Sequence, residues 1–348
     1  MVMLESNKHV LVDPADERWI AFTAATPQAN IFHHPTWANL LTECYGYRPF
    51  VVAVGDAGGR ICAGLPMMEV NSRLTGRRWV SLPFTDHCAP LCCDAESFSR
   101  LIARLADLSA DARIPNIELR WGLPTHPVLQ SYSHHVLHTI KLGRDSESVA
   151  SRFHHTHRRN IEIAKKKGVR IEWGQKREHL EVFYRLHLAT RRRQGIPVQP
   201  WRFFDLLGRA IIERGLGFVL LAYKDDECLA AGVFLHWQQT LTYKYGASST
   251  DGLSLRPNNL LFWTAISWGC ENGYTLFDMG RTDMANTGLR EFKSRWGAEE
   301  VPLLYSTLSA APPQPMTGKL MRVLQTVIRN SPVLVCRAAG ELLYRHFG

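Results

Sequence analysis

The sequence predicts a mixed α/β protein of two tandem lobes followed by a helical tail, and three observations lead there. A pattern of hairpin, helix and strand occurs twice in the same order. Residues 50–65, FVVAVGDAGGRICAGL, and 218–233, FVLLAYKDDECLAAGV, each read as an apolar strand, a polar turn and a second apolar strand, with Gly64 and Gly232 at the same place in the pattern. Downstream of each, LIARLADLSADARIPNIELRWG (101–122) and LLFWTAISWGCENGYTLFDMG (260–280) read as a helix running into a short strand. At 348 residues the chain is long enough for two domains of ordinary size. The expected division is a first lobe over 1–150, a second over 151–310 and a tail over 311–348.

Taken in order, the first hairpin (50–65) is followed by the helix in which Leu101, Leu105 and Leu108 recur at helical spacing. Residues 151–215 then read as mainly helical. In RFHHTHRRNIEIAKKKG, Phe153, His157, Ile161 and Ala164 share one face, and Gly168 is a helix stop. The strand VRIEWG follows, then helices ending near Gly195 and Gly215. The second hairpin leads to a strand over 241–247. The helix carrying Leu261, Ala265 and Trp268 comes next, with Pro257 suited to its first turn because the missing N–H removes no helical bond. APPQPM (311–316) is a linker by composition. Beyond it Leu320, Val323, Leu324, Val327 and Ile328, and then Val335, Ala339, Leu342, Leu343 and Phe347, form apolar stripes with arginines alongside. Such basic amphipathic helices pack on the body of the protein or lie on an anionic membrane surface, here through 319–347.

Composition narrows the class. Hydrophobic residues make up 45% and charged residues 21%, which excludes a largely disordered or collagen-like chain. No run approaches the length of a membrane span, and the acidic start lacks the form of a signal peptide, so a cytoplasmic protein is expected. Eight cysteines are too sparse for a disulfide framework. His87, Cys88, Cys92 and Cys93 lack a second ligand pair, and His154, His155 and His157 point different ways on a helix, so no metal site is expected. The net charge of +9 is uneven: residues 1–150 sum to −2, 151–310 to +7 and 311–348 to +4. The second lobe and tail therefore suit an anionic ligand or surface.

Six blocks carry a family resemblance: YKYGAS (243–248), LRPNNLLFWTAISWGCENGY (255–274), FDMGRT (277–282), GLREFKSRWGAE (288–299) and, in the first half, FHHPTWANLL (32–41) and SRLTGRRWVSLPF (72–84). In order and spacing they resemble the Fem-type branch of the GNAT acyltransferase superfamily over roughly residues 30–308. That branch includes aminoacyl-tRNA-dependent enzymes of peptidoglycan bridge synthesis and acetyltransferase-like relatives linked to exopolysaccharide systems. The resemblance implies two GNAT-like lobes in tandem, each a mixed central sheet flanked by helices. It implies transfer of an acyl group from an activated donor to an amine on a cell-envelope or polysaccharide precursor. No tightly bound cofactor is expected. The co-substrate would be acyl-coenzyme A, an acyl carrier protein or an aminoacyl-tRNA. The chain lacks the long helical hairpin that some bridge-forming members insert in the second lobe, which leaves the donor open.

The resemblance also distributes roles. Donor binding falls to Arg256, Asn258 and Asn259 at a helix start, where unpaired N–H groups attract phosphate, and to Gly246, Arg281 and Phe292. Lys293 would polarise the reacting carbonyl, with Asp278 and Tyr245 as further catalytic candidates. Trp37, Asp86 and His87 are expected to meet the acceptor. Arg158, Arg159 and Asn160 head a basic helix that suits a phosphorylated acceptor or a tRNA stem. Two other readings stay open from sequence: a true aminoacyl-tRNA-dependent transferase, and a non-catalytic nucleic-acid or lipid-surface binding protein.

Overall fold

A computed structural model describes residues 9–72, 75–124, 129–308 and 325–346. The linker APPQPM, the tail residues up to Leu324 and Phe347 lie outside the described residues. The chain forms two compact units. One takes the described residues up to His134 together with Leu303–Leu308; the other takes His135–Pro302 and the described C-terminal helices.

The first unit contains β1 (His9–Val12), α1 (Glu17–Ala25), α2 (Pro35–Tyr45), β2 (Arg48–Gly55), β3 (Ile61–Ser72), β4 (Gly76–Val80), β5 (Leu91–Cys92), α3 (Ala95–Ala110) and β6 (Asn116–Leu119). The predicted hairpin is β2–β3, paired antiparallel from Arg48↔Glu69 to Gly55↔Ile61. β4 runs parallel to β6, with Trp79 opposite Ile117. The repeated glycine has a packing reason in each copy. A β-carbon on Gly64 would stand 2.6 Å from the Trp19 ring, and one on Gly232 2.9 Å from the Phe234 ring and 3.0 Å from Leu261.

The second unit starts within β7 (Leu129–Lys141). It continues through α4 (Ser146–Ser151), α5 (His155–Lys166), β8 (Arg170–Gly174), α6 (Arg177–Gln194), α7 (Trp201–Leu207), β9 (Gly217–Lys224), β10 (Glu227–Trp237), β11 (Thr240–Ser248), α8 (Pro257–Glu271), β12 (Leu276–Asp283) and α9 (Thr287–Ser294) to the start of β13 (Glu299–Leu308). The expected glycine stops hold: Gly168, Gly195 and Gly215 have φ of +74°, +71° and +73°. The strands run β8-β9-β10-β11-β12-β7. One sheet face is covered by α4, α5 and α8, with Phe153, Ile161, Phe234, Phe262, Phe277 and Trp296 in one apolar cluster. On the other, α6 and α7 bring His187, Phe203 and Phe204 against Tyr245, with Phe183 stacked on His187.

The two units share one strand order with one exchange. β1, β2, β3, β4, α3 and β6 correspond to β8, β9, β10, β11, α8 and β12. The next strand of the chain, β7, pairs antiparallel with β12, from Leu276↔Lys141 to Asp283↔His135. The strand that follows β12, β13, pairs with β6, Ser306 opposite Leu119. Each unit's last strand thus comes from the other half of the sequence.

In the tail, α10 (Val333–Leu343) contacts α6, and Gly340 lies against the Val198 carbonyl. Ile328 and Cys336 are buried, while Val327 and Val335 are exposed. The described part of the tail is seated on the second unit. No helix among the described residues is long and apolar enough to cross a membrane.

Candidate active site

The site is built where two parallel strands part. β11 and β12 pair only through Thr240↔Leu276, Leu241↔Phe277 and Thr242↔Asp278, although β11 continues to Ser248 and β12 to Asp283. Beyond Thr242 and Asp278 their facing backbone groups are free of this ladder. A register shift between Asp278 and Arg281 bends β12 at the same point, and Gly280 there has φ of +70°. Asp278 is 1% exposed, and its carboxylate accepts the Gly280 N–H at 2.7 Å. Its observed contact shapes the bend.

Lys293 reaches this bend from α9. Asn286 caps that helix by accepting the Leu289 N–H. The Lys293 side chain is 3% exposed, and Nζ donates to the carbonyls of Gly280 at 2.9 Å and Arg281 at 3.3 Å. An ammonium withdrawn from water beside opened strands is placed to stabilise negative charge developing on a reacting carbonyl oxygen. Phe292 is half-buried and packs on Phe262 and His157. Arg281 is half-buried, and its carbonyl completes the lysine's contacts.

At the start of α8, Arg256 is exposed and adopts a left-handed backbone, φ +59°, immediately before Pro257. Asn258 is half-buried at the same turn. Asn259 departs from its expected donor role: it is buried, and its side-chain amide bonds to His157 Nδ1 at 3.1 Å. His157 Nε2 in turn donates to the Phe292 carbonyl at 2.9 Å. Burial holds the His157 pKa below its usual value, which fits a neutral ring that accepts at one nitrogen and donates at the other. His157 ties the start of α8 to α9. Its place on the apolar face of α5 was readable from sequence, but its polar partners, 102 and 135 residues away, were not.

Of the two tyrosines on β11, Tyr243 faces α8 and Tyr245 faces α7. A bulge in β11 skips Lys244, pairing Phe234 with Tyr243 and Val233 with Tyr245. The two rings therefore turn to opposite faces. Tyr245 is 6% exposed and packs into Phe203 and Phe204 on the α7 side. Tyr243 packs on Phe262 of α8 at 4.6 Å between ring centres, with its hydroxyl over the α-carbon of Gly246. Gly246, expected at the donor, is covered by the Tyr243 hydroxyl. Burial raises the Tyr243 pKa to about 12, so the phenol stays protonated at neutral pH.

Elsewhere the expectations scatter. Arg158 and Arg159 are exposed and Asn160 half-buried on α5, a solvated basic face. Trp37 is 0% exposed and packs edge-on against Phe32, so it is a core residue and cannot contact an acceptor. Asp86 and His87 are half-buried on a loop where Leu82 and Phe84 have φ of +58° and +61°. The Asp86 carbonyl accepts from Tyr305 Oη at 2.6 Å, and the His87 ring lies against Phe32 and Trp121. No group of three or more His, Cys, Asp or Glu able to hold a metal occurs among the described residues. A recess of about 590 Å³ at the β9–β10 turn is lined by Lys224, Asp225, Asp226, Glu227 and Asp251, and its net charge disfavours an anionic donor.

Parted parallel strands, a helix start beside them and a buried lysine at the bend are the arrangement of a GNAT fold. Residues 151–294 match the family described as "Acetyltransferase (GNAT) domain", which covers β8–β12 and ends with α9. No curated protein sequence matches the chain. Among solved structures the chain is similar to FemX, with 14% identity and a TM-score of 0.67 over 91% of this chain and 100% of that one. It is also similar to the C-terminal domain of a putative lysylphosphatidylglycerol synthetase from Agrobacterium fabrum, at 15% identity and TM-score 0.55 over 90% and 96% of the two chains. A tandem GNAT protein from the clavulanic acid biosynthesis pathway matches at 12% identity and TM-score 0.51 over 89% and 99%. At these identities the likenesses establish a shared fold.

Proposed function

We propose that the chain is an N-acyltransferase that moves an acyl group from an activated donor, an acyl thioester in the favoured reading, to an amine on a cell-envelope or polysaccharide precursor. The observation that carries this is Lys293, buried at the bend of β12 where β11 and β12 separate. The donor would lie along the opened edge, its anionic part toward Arg256 and Asn258 and its carbonyl toward the Lys293 ammonium. Attack by the amine nitrogen forms the C–N bond, the carbonyl oxygen carries negative charge until the C–S bond breaks, and the departing thiolate takes up the proton that the nitrogen loses. The ammonium stabilises that charge, and Phe292 and Tyr243 wall the reacting end. Acetyl-coenzyme A and longer acyl-coenzyme A thioesters should raise the melting temperature of the full-length chain, with Arg256→Ala weakening the shift. A Lys293→Ala variant that transfers acyl groups as fast as the parent would refute the reading.

An aminoacyl-tRNA donor with a peptidoglycan precursor as acceptor is the second reading. It is favoured by the likeness to FemX over the full length of that chain and by the net +7 of residues 151–310. Charged tRNA would then bind with steep salt dependence, and acyl-coenzyme A would not bind. The basic tail, with Val327 and Val335 exposed, fits an enzyme working at the inner membrane face on a lipid-linked acceptor. A flotation assay in which the full-length protein ignores anionic liposomes would remove that part.

A further inference from the structure

A lysine that must meet a carbonyl needs its ammonium fixed to a fraction of an ångström. Its helix is poorly suited to that alone. α9 has eight residues, too few to be stable in isolation, and Thr287, Gly288, Leu289, Glu291 and Ser294 are exposed. One helical turn before Lys293, Arg290 grips Glu300 of β13 with both arms, Nη2–Oε1 at 2.7 Å and Nε–Oε2 at 3.1 Å. Glu300 Oε2 also lies 2.9 Å from Nε2 of His138, a β7 residue that is 0% exposed. His138 stands at the break in register where β7 faces the bend of β12, between the pairs Thr139↔Asp278 and Leu137↔Arg281.

The contacts form a closed ring. From the bend of β12 it runs through Lys293 to α9, through Arg290 to Glu300, through Glu300 to His138, and across the β7–β12 ladder back to the bend. We propose that Arg290, Glu300 and His138 are positioning residues that hold the Lys293 ammonium on the Gly280 and Arg281 carbonyls. The ring pins α9 at two points one turn apart, so the helix can neither slide along β12 nor roll its lysine into water. Opening the ring at Glu300 or His138 loosens the hold on Arg290 and leaves α9 with the Lys293 contacts and the His157 bond to the Phe292 carbonyl. The groups facing His138 are Glu300, Arg290 and Lys293, and burial together with the lysine's charge favours its neutral ring. A neutral His138 sets its Nε2 against Glu300 Oε2 at 2.9 Å without adding a second cation beside the ammonium. The consequence for catalysis rests on the reading of Lys293 given above; the positioning itself does not.

The test compares the full-length parent with His138→Asn, Glu300→Gln and Arg290→Lys. Trace labelling with isotopic acetic anhydride, read by peptide mass spectrometry, gives the reactivity of Lys293 relative to the exposed Lys165. Labelling of Lys293 should rise at least fivefold in His138→Asn and Glu300→Gln and least in Arg290→Lys, which keeps a cation for Glu300. Acetyl transfer from acetyl-coenzyme A to hydroxylamine should lose at least tenfold in kcat with KM within twofold. Lys293 labelling within twofold of the parent in folded His138→Asn and Glu300→Gln would overturn the proposal. Should either variant melt too low to handle, Arg290→Ala, a change at a half-buried site, gives the same reading. If Lys293 labelling rises as expected while Lys293→Gln transfers normally, the positioning stands and the catalytic role of the lysine falls.

Discussion

The hydroxyl of Tyr243 occupies the place where a β-carbon on Gly246 would stand. Gly246→Ala must therefore push the phenol off Phe262 or move the strand. Overpacking of this kind costs roughly 1–3 kcal/mol, and the melting temperature should fall accordingly. In a Tyr243→Leu background most of the loss should vanish, because the clash has no partner. A double-mutant cycle that comes out additive would show that the two residues do not meet.

Lys293→Ala should reduce kcat by about 10²–10³-fold, the range for loss of one oxyanion donor. It also leaves the Gly280 and Arg281 carbonyls without their donor, at about 1–3 kcal/mol of stability. Lys293→Gln retains a donor without the charge. Near-parental melting with lost turnover in Lys293→Gln would separate the electrostatic role from the structural one.

Acid should unfold the protein earlier than its carboxylates require. Burial depresses His33 to about 4, His187 to about 3 and His236 to about 4, and lowers His138 and His157 as well. Each is neutral in the folded chain, whereas the unfolded chain takes up protons from about pH 6.5 downward. A folded pKa below the unfolded one means stability that is full above pH 6.5 and lost as pH falls toward the folded value. For His33 alone, a fall from 6.5 to about 4 corresponds to about 3 kcal/mol near pH 4. Urea denaturation at pH 7.5, 6 and 5 should show a steady fall in midpoint. A flat profile across that window would contradict the burial of these rings.

Reversing Arg158 and Arg159 to glutamate tests the two donors against each other. Both side chains are exposed, so folding should be unaffected. A tRNA donor predicts at least tenfold weaker binding and a shallower dependence on salt. A thioester donor predicts affinity for acyl-coenzyme A within about threefold. Filter binding and calorimetry on the same preparation would decide.

Much of the fold could be read from local signals. The two hairpins, the glycine stops at 168, 195 and 215, and the proline start of α8 are encoded within a few residues, and each appears where expected. Other features depend on contacts distant in sequence. The bulge that sends Tyr245 to the α7 face breaks strict alternation and has no glycine or proline to announce it. The resemblance put Trp37 at the acceptor, yet Phe32 and the surrounding apolar residues enclose it. His138 and Glu300 lie 162 residues apart and acquire meaning only once β7 and β13 leave their sequence neighbours for other strands.

That exchange bears on how the protein is made. A ribosome that has delivered everything through β6 has not yet supplied β13, the partner of that strand, and will not until nearly 190 residues later, when Ser306 reaches Leu119. Meanwhile β7 must wait for β12. Neither half can be finished first, so the nascent chain carries two incomplete sheet borders through most of its synthesis. A gene cut after codon 150 would yield two fragments, each missing its closing strand, and only their joint expression would restore both.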